Sequence, residues 1–176
     1  MWRVIFGCTV LIFIHILFIV PIFSENTGNV KVIAVCSTIL FFLLAGYFIS
    51  FRKCSQQEWH ILPGLAIPLG AVLTFFLNEE LHLGAVVAAS TVGLVGSFAP
   101  LLGKRCEAFP PAIYCGAFIG MSSVLIITSY WMLVMASLFS LGIYLLLQPV
   151  FNGFGGKLGS IAFGGVLCMM LLNYLV

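Results

Sequence analysis

Residues 109–150 read FPPAIYCGAFIGMSSVLIITSYWMLVMASLFSLGIYLLLQPV, 42 residues without one Asp, Glu, Lys or Arg. As a single helix they would extend about 60 Å at 1.5 Å per residue, twice the roughly 30 Å hydrocarbon core of a bilayer. The stretch must therefore turn within itself, and the place of that turn decides how many times the chain crosses a membrane. Thr128-Ser129-Tyr130-Trp131 is the polar break, although it contains neither Gly nor Pro. Spans 109–128 and 131–150 result. The alternative is a re-entrant loop over Phe109–Ser123, which leaves six full spans.

The same ruler of about twenty apolar residues per crossing, applied outward, gives spans 4–23, 31–50, 61–78, 82–102 and 158–176 as well. The expected fold is all-α: a polytopic helical bundle of about seven transmembrane helices in a single membrane domain covering residues 1–176. Composition agrees. Hydrophobic residues make up 62% and charged residues 7% of the chain, against roughly 25% charged in an ordinary soluble domain. A mean hydropathy of +1.24 leaves no sizeable water-soluble part once the spans are removed. Residues 4–23 are longer than a secretory signal core and no A-x-A-like site follows, so they read as a retained span.

Lys and Arg near span ends stay in the cytoplasm. With seven spans and a cytoplasmic N-terminus, Arg3, Arg52, Lys53, Lys104, Arg105 and Lys157 lie inside and only Lys31 outside. The re-entrant alternative moves Lys157 outward and weakens the bias. The expected location is the plasma (inner) membrane. Trp2, Trp59 and Trp131 fall at span ends, where amphipathic rings favour the interface. A net charge of +2 with scattered bases excludes a nucleic-acid surface. Of the six cysteines, four sit in apolar runs as small hydrophobes, and no disulfide framework is indicated.

One internal similarity stands out. Leu69-Gly70 followed by Leu83-Gly84-Ala85-Val86 resembles Leu141-Gly142 followed by Leu158-Gly159-Ser160-Ile161, at offsets of 72 and 75 residues. Ile33-Ala34-Val35-Cys36 extends it to Ala112-Ile113-Tyr114-Cys115. Spans 2–4 would then recur as spans 5–7, and three spans per copy make the repeat inverted, as in many secondary transporters. Chance recurrence of Leu, Gly, Ala and Val is the competing explanation.

Small residues at four-residue spacing mark three spans: Ala89, Gly93 and Ser97; Gly116 and Gly120; Gly156, Ser160 and Gly164. They predict close packing of spans four, five and seven. Pro63-Gly64, Pro68 and Pro110-Pro111 interrupt spans three and five. Proline frees backbone carbonyls, and Pro68, in mid-span, is the candidate for a functional break, whereas Pro110-Pro111 suit a helix start. His15 is the one ionisable group in the middle of a span, a candidate proton or polar site, although a lone intramembrane His more often bonds a neighbouring helix.

The candidate substrate path is neutral: Ser90, Thr91, Gly93, Gly116, Ser122, Ser123 and Ser160, with Pro68 opening backbone toward it. Cys54, Glu58, His60 and Cys106 match no zinc spacing, so neither metal nor cofactor is expected. Gly153-Phe154-Gly155-Gly156-Lys157 lacks the preceding strand of a phosphate loop. With no acid, base or nucleophile constellation, the chain does not read as an enzyme. The leading expectation is a small transporter or channel for a small solute or ion, partnered by the lipid bilayer and forming a homo-oligomer or binding a membrane subunit. The alternative is a membrane-embedded anchoring or sensing subunit of a larger complex. Accessibility tags test the orientation: at residue 1 and within 103–107 they should report cytoplasmic, and at 78–81 and the C-terminus outside. A 103–107 tag found outside would invert the topology.

Overall fold

The structure, a computed structural model, describes residues 2–52, 61–148 and 156–175, with side chains placed at 6–7, 9–46, 61–148 and 156–175. Every regular element among these residues is helical. The chain forms α1 (Trp2–Glu25), α2 (Val30–Arg52), α3 (Ile61–Gly64), α4 (Ala66–Glu79), α5 (Ala85–Ser97), α6 (Phe109–Gly120), α7 (Tyr130–Leu147) and α8 (Lys157–Leu175). Short 3-10 turns cover Ala99–Leu102 and Lys104–Cys106. Four stretches are long and apolar enough to cross a membrane: Ile61–Glu79, Ala85–Leu102, Tyr130–Leu147 and Lys157–Leu175. Thr9–Glu25 and Val30–Gly46 are shorter apolar helical stretches.

Contacts divide the chain into two compact units, residues 1–58 with 146–154 and residues 59–145 with 155–176. In the first, α1 and α2 form a hairpin whose turn carries the expected break: Asn26 N–H donates to Ile22 O at 3.2 Å and Asn29 O accepts Ile33 N–H at 3.1 Å. Gly7 lies against Leu146 and Leu147, where an added Cβ would come within 2.9 Å of the Leu147 side chain.

The second unit holds α3 to α6, α7 as far as Leu145, and α8. Pro68 has no N–H to offer Gly64 O and its ring crowds that carbonyl, and the chain turns at Leu65, between α3 and α4. Pro110 and Pro111 occupy the first turn of α6, where the missing N–H costs nothing. Pro100 stops α5 short, and a 3-10 turn completes that span.

The helix expected over 109–128 ends at Gly120, after 12 residues. Three features of the following residues account for this. Ser123 Oγ accepts Leu125 N–H at 3.2 Å and Ser123 O accepts both Ile126 and Ile127 N–H, so the serine offers the backbone an alternative to the helix. Val124, Ile126, Ile127 and Thr128 are β-branched and lose rotamer freedom in a helix. Ser129 then starts α7 as an N-cap, its Oγ accepting Met132 N–H at 3.3 Å and its carbonyl accepting Leu133 N–H at 3.1 Å.

α6 is the pillar of this unit, packed on α4, α5 and α8. Its closest neighbour is α4, whereas the small-residue spacing predicted spans four and seven. The reason is Gly70: a Cβ there would come within 2.7 Å of Ile113 O. A Cβ on Gly116 would collide with Ile67 O and sit 2.8 Å from Ala71 N, and one on Gly120 would lie 2.5 Å from Ala71 O and 2.9 Å from Phe75 N. The pairing advances in the same direction on both helices, so α4 and α6 run parallel with backbone against backbone. This is the small-xxx-small contact of membrane helices, made within one chain.

The α5 stripe is rotated from expectation. Its buried positions are Ala88, Val92, Gly93 and Gly96, while Ser97 is exposed and Ala89 half-buried. On α8, Gly165 makes the tight approach, with an added Cβ colliding with Ser140 Oγ and 2.5 Å from Ala136 O; Gly156 is exposed.

Gly116→Ala should therefore force α6 off α4, costing about 1–3 kcal/mol and several degrees of melting temperature in detergent. Gly93→Ala should cost less, since its Cβ would meet only the Tyr114 ring, which is partly exposed and can swing. Gly142→Ala, with nothing within 4 Å, is the neutral control. Equal melting temperatures for all three variants would contradict this packing.

Candidate functional site

Two features of a half-helix bear on function. Helix ends leave carbonyls without intrahelical donors, and the C-terminal end carries partial negative charge. Where such an end lies at membrane depth it is tolerated only against protein or a wet cavity. At 12 residues α6 is about 18 Å long, less than the hydrocarbon core, and its last residue, Gly120, lies beside Ala71, Thr74 and Phe75 of α4. Met121 N–H closes on Ala117 O at 3.2 Å and Ser122 N–H on Ile119 O at 3.0 Å. Among the described residues, the carbonyls of Phe118 and Gly120 accept no backbone N–H.

Thr74 faces this end. It is 0% exposed, and an added Gly120 Cβ would lie 2.6 Å from its Cβ. Its Oγ1 is the one buried side-chain polar atom without a hydrogen-bond partner among the described residues. Other helix hydroxyls in the chain bond back onto their own helix: Thr38 to Ala34 O at 2.8 Å, Ser90 to Val86 O at 2.7 Å and Thr91 to Val87 O at 2.8 Å. The buried Ser137 bonds Val134 O at 2.7 Å, and Ser140 reaches Ile161 O on α8 at 3.3 Å. A buried hydroxyl left unpaired costs about 1–3 kcal/mol, so Thr74 stands apart from every comparable group.

A polar cluster lies one to two turns further along α4. Tyr130 O–H donates to Glu80 Oε1 at 3.3 Å, and the Tyr130 ring meets Phe75 edge to face with centroids 5.4 Å apart. Asn78 Nδ2 donates to Glu79 Oε1 at 2.5 Å. His82 and Gly84 turn the chain with φ of 52° and 81°. The first turn of α7 thus sits at the C-terminal end of α4.

The sequence-derived path residues fall in several settings. Ser90, Thr91 and Ser123 are exposed, and Ser122, Ser160 and Pro68 are half-buried. Gly93 is buried against Tyr114, and Gly116 is sealed into the α4 seam. The hydroxyls of Ser90 and Thr91 are spent on their own helix. His15, in the other unit, is half-buried with Nδ1 2.7 Å from Leu11 O. Cys54, Glu58 and His60 lie outside the described residues. Among the described residues no three His, Cys, Asp or Glu gather. The matched members of the repeat also differ in form: α2 is a 23-residue helix and α6 a 12-residue one.

Two apolar grooves lie among the described residues. One, of about 600 Å³, runs between α1 and α2 past Ile16, Phe23 and Leu40. The other, of about 820 Å³, lies in the second unit between Leu69 and Leu73 of α4, Val92 and Val95 of α5, and Ile113 of α6. Thr91 borders it, and its walls suit lipid chains rather than water. No family model, curated protein or solved structure matches the chain.

Thr74 could not be singled out from its neighbours Leu73 and Phe75 by composition or spacing. The helix end had a signal in Ser122, Ser123 and the Ser129 cap. Hydrogen exchange tests that end directly: amides 114–120 should be strongly protected and 122–125 should exchange at least tenfold faster. Uniform protection through residue 128 would restore a full-length helix.

Proposed function

We propose that the chain is a seven-span membrane transporter that moves a small ion or solute by displacement of the half-helix α6 against α4. The observation that carries this reading is α6 itself: a discontinuous helix at the centre of its unit, ending beside Thr74, whose buried hydroxyl is unpaired among the described residues. Broken helices whose ends present backbone oxygens are how many transporters build their sites.

Seven crossings are supported by the direction of the chain. Since α4 and α6 run parallel and Tyr130 lies beside Glu80, residues 109–129 lead from the far end of α5 to the Glu80 end of α4. That direction favours one passage over a re-entrant return. With α1 and α2 as two spans, the cation bias places the N-terminus in the cytoplasm and Glu79 and Glu80 outside. A plasma or inner membrane suits this orientation.

The seam between α4 and α6 is closed on backbone atoms at Gly116. A solute cannot pass there without relative movement of the two helices, which favours a carrier over an open channel. Ser122→Cys, placed just beyond the end of α6, tests this reading. Cysteines other than buried Cys115 would be replaced, and an impermeant thiol reagent applied from each side of the membrane. Labelling from both sides is the expected result, with exposed, self-bonded Ser90→Cys unreactive. Labelling of Ser122→Cys from one side only, under every condition, would instead favour a membrane-embedded anchoring subunit.

A further inference from the structure

The unpaired Thr74 hydroxyl belongs to a side chain whose Cβ packs against Gly120, the last residue of α6. We infer that Thr74 Oγ1 and the backbone carbonyls at the C-terminal end of α6 bind a dehydrated monovalent alkali cation of the sodium type. This inference rests on the transporter reading and names the ion for the same site.

Thr74 is fully buried, its hydroxyl takes no carbonyl of its own helix, and its side chain abuts Gly120. A threonine on a membrane helix ordinarily donates to the carbonyl four residues earlier, as Thr38 and Thr91 do here. Thr74 leaves its oxygen lone pairs available. Across from it, the α6 end supplies carbonyl oxygens and the negative pole of a helix dipole, a combination that discontinuous helices use for Na⁺.

The residues nearest Gly120, namely Ala71, Thr74 and Phe75, carry no carboxylate. Divalent cations are ordinarily held by carboxylates together with carbonyls and water. A neutral oxygen set therefore fits a single positive charge. Glycine at 120 lets α4 backbone and the Thr74 Cβ come close to the helix end, which any Cβ would block.

The surroundings favour a cation too. Glu79 and Glu80 stand one to two turns beyond Thr74 on the same helix, with Tyr130 O–H fixed on Glu80. Acidic side chains at the mouth of a low-dielectric site raise the local concentration of cations. Ser122 and Ser123, immediately after α6, are half-buried and exposed, and furnish hydroxyls along the approach.

The test is thermal unfolding of the purified full chain in choline chloride, with NaCl, LiCl or KCl substituted at constant ionic strength. Wild type should gain several degrees with saturable dependence on Na⁺ or Li⁺. Thr74→Val should lose the gain or need at least tenfold more cation, and Thr74→Ser should keep it. A wild type indifferent to the cation, as expected if only a water sits there, would overturn the inference, and so would an undiminished response in Thr74→Val. Should Thr74→Val fail to accumulate, hydrogen exchange of wild type decides: Na⁺-dependent protection centred on residues 116–125 supports the site, and its absence overturns it. Cation-dependent stability with one-sided labelling of Ser122→Cys removes transport and keeps the site. Two-sided labelling without cation dependence does the reverse.

Discussion

The contact of backbone on backbone where Gly70, Gly116 and Gly120 bring α4 and α6 together governs the second unit. In a membrane no hydrophobic force draws helices together, so dispersion and close approach must do it. Three glycines permit an approach at which any one Cβ would strike main-chain atoms. That contact lets a 12-residue helix stand in the centre of the unit although it is too short to be held by length alone. It also fixes the level at which α6 ends, beside Thr74, and so determines which groups can meet there.

The other helices adapt to α6. α5 turns Gly93 and Gly96 to Tyr114 and Ile113, and α8 accepts Cys115 Sγ on Leu158 O at 3.7 Å. α7 and α8 interlock at Gly165 and Ser140. Apolar residues remain plentiful on the outside: Leu69, Leu73, Val95 and Trp131 are all more than half exposed, as expected of a surface whose solvent is lipid. The interior is built from small residues and a few hydroxyls, and the hydroxyl of Thr74 is the exception because it finds no partner among the described residues.

The positions of the long apolar helices in the second unit were legible in the sequence because hydropathy averages over some twenty residues and tolerates local error. The expected ranges 61–78 and 158–176 lie within a residue or two of Ile61–Glu79 and Lys157–Leu175. The end of α6 was harder to read: Val124 to Ile127 are as apolar as any helix, and the turn chemistry of Ser122, Ser123 and Ser129 is weak against that background. The rotation of α5 was illegible for another reason. Ala85 to Ser97 is apolar on all sides, so nothing in polarity separates an Ala89-Gly93-Ser97 face from an Ala88-Val92-Gly96 face, one residue apart. Thr74 depended on a partner 46 residues away, which no local pattern announces.

A double-mutant cycle on Gly70→Ala and Gly116→Ala, read by unfolding, tests the α4–α6 contact most directly. Each Cα lies against the other glycine, 3.4 Å from the Cβ that Gly70 would gain and 3.0 Å from the one Gly116 would gain. The first substitution already separates the helices, so the second should add much less than its own cost. Destabilisation by each single variant with a coupling of about 1 kcal/mol or more is the predicted result. Strict additivity, or two single variants as stable as wild type, would contradict the contact on which the placement of α6 and its site depends.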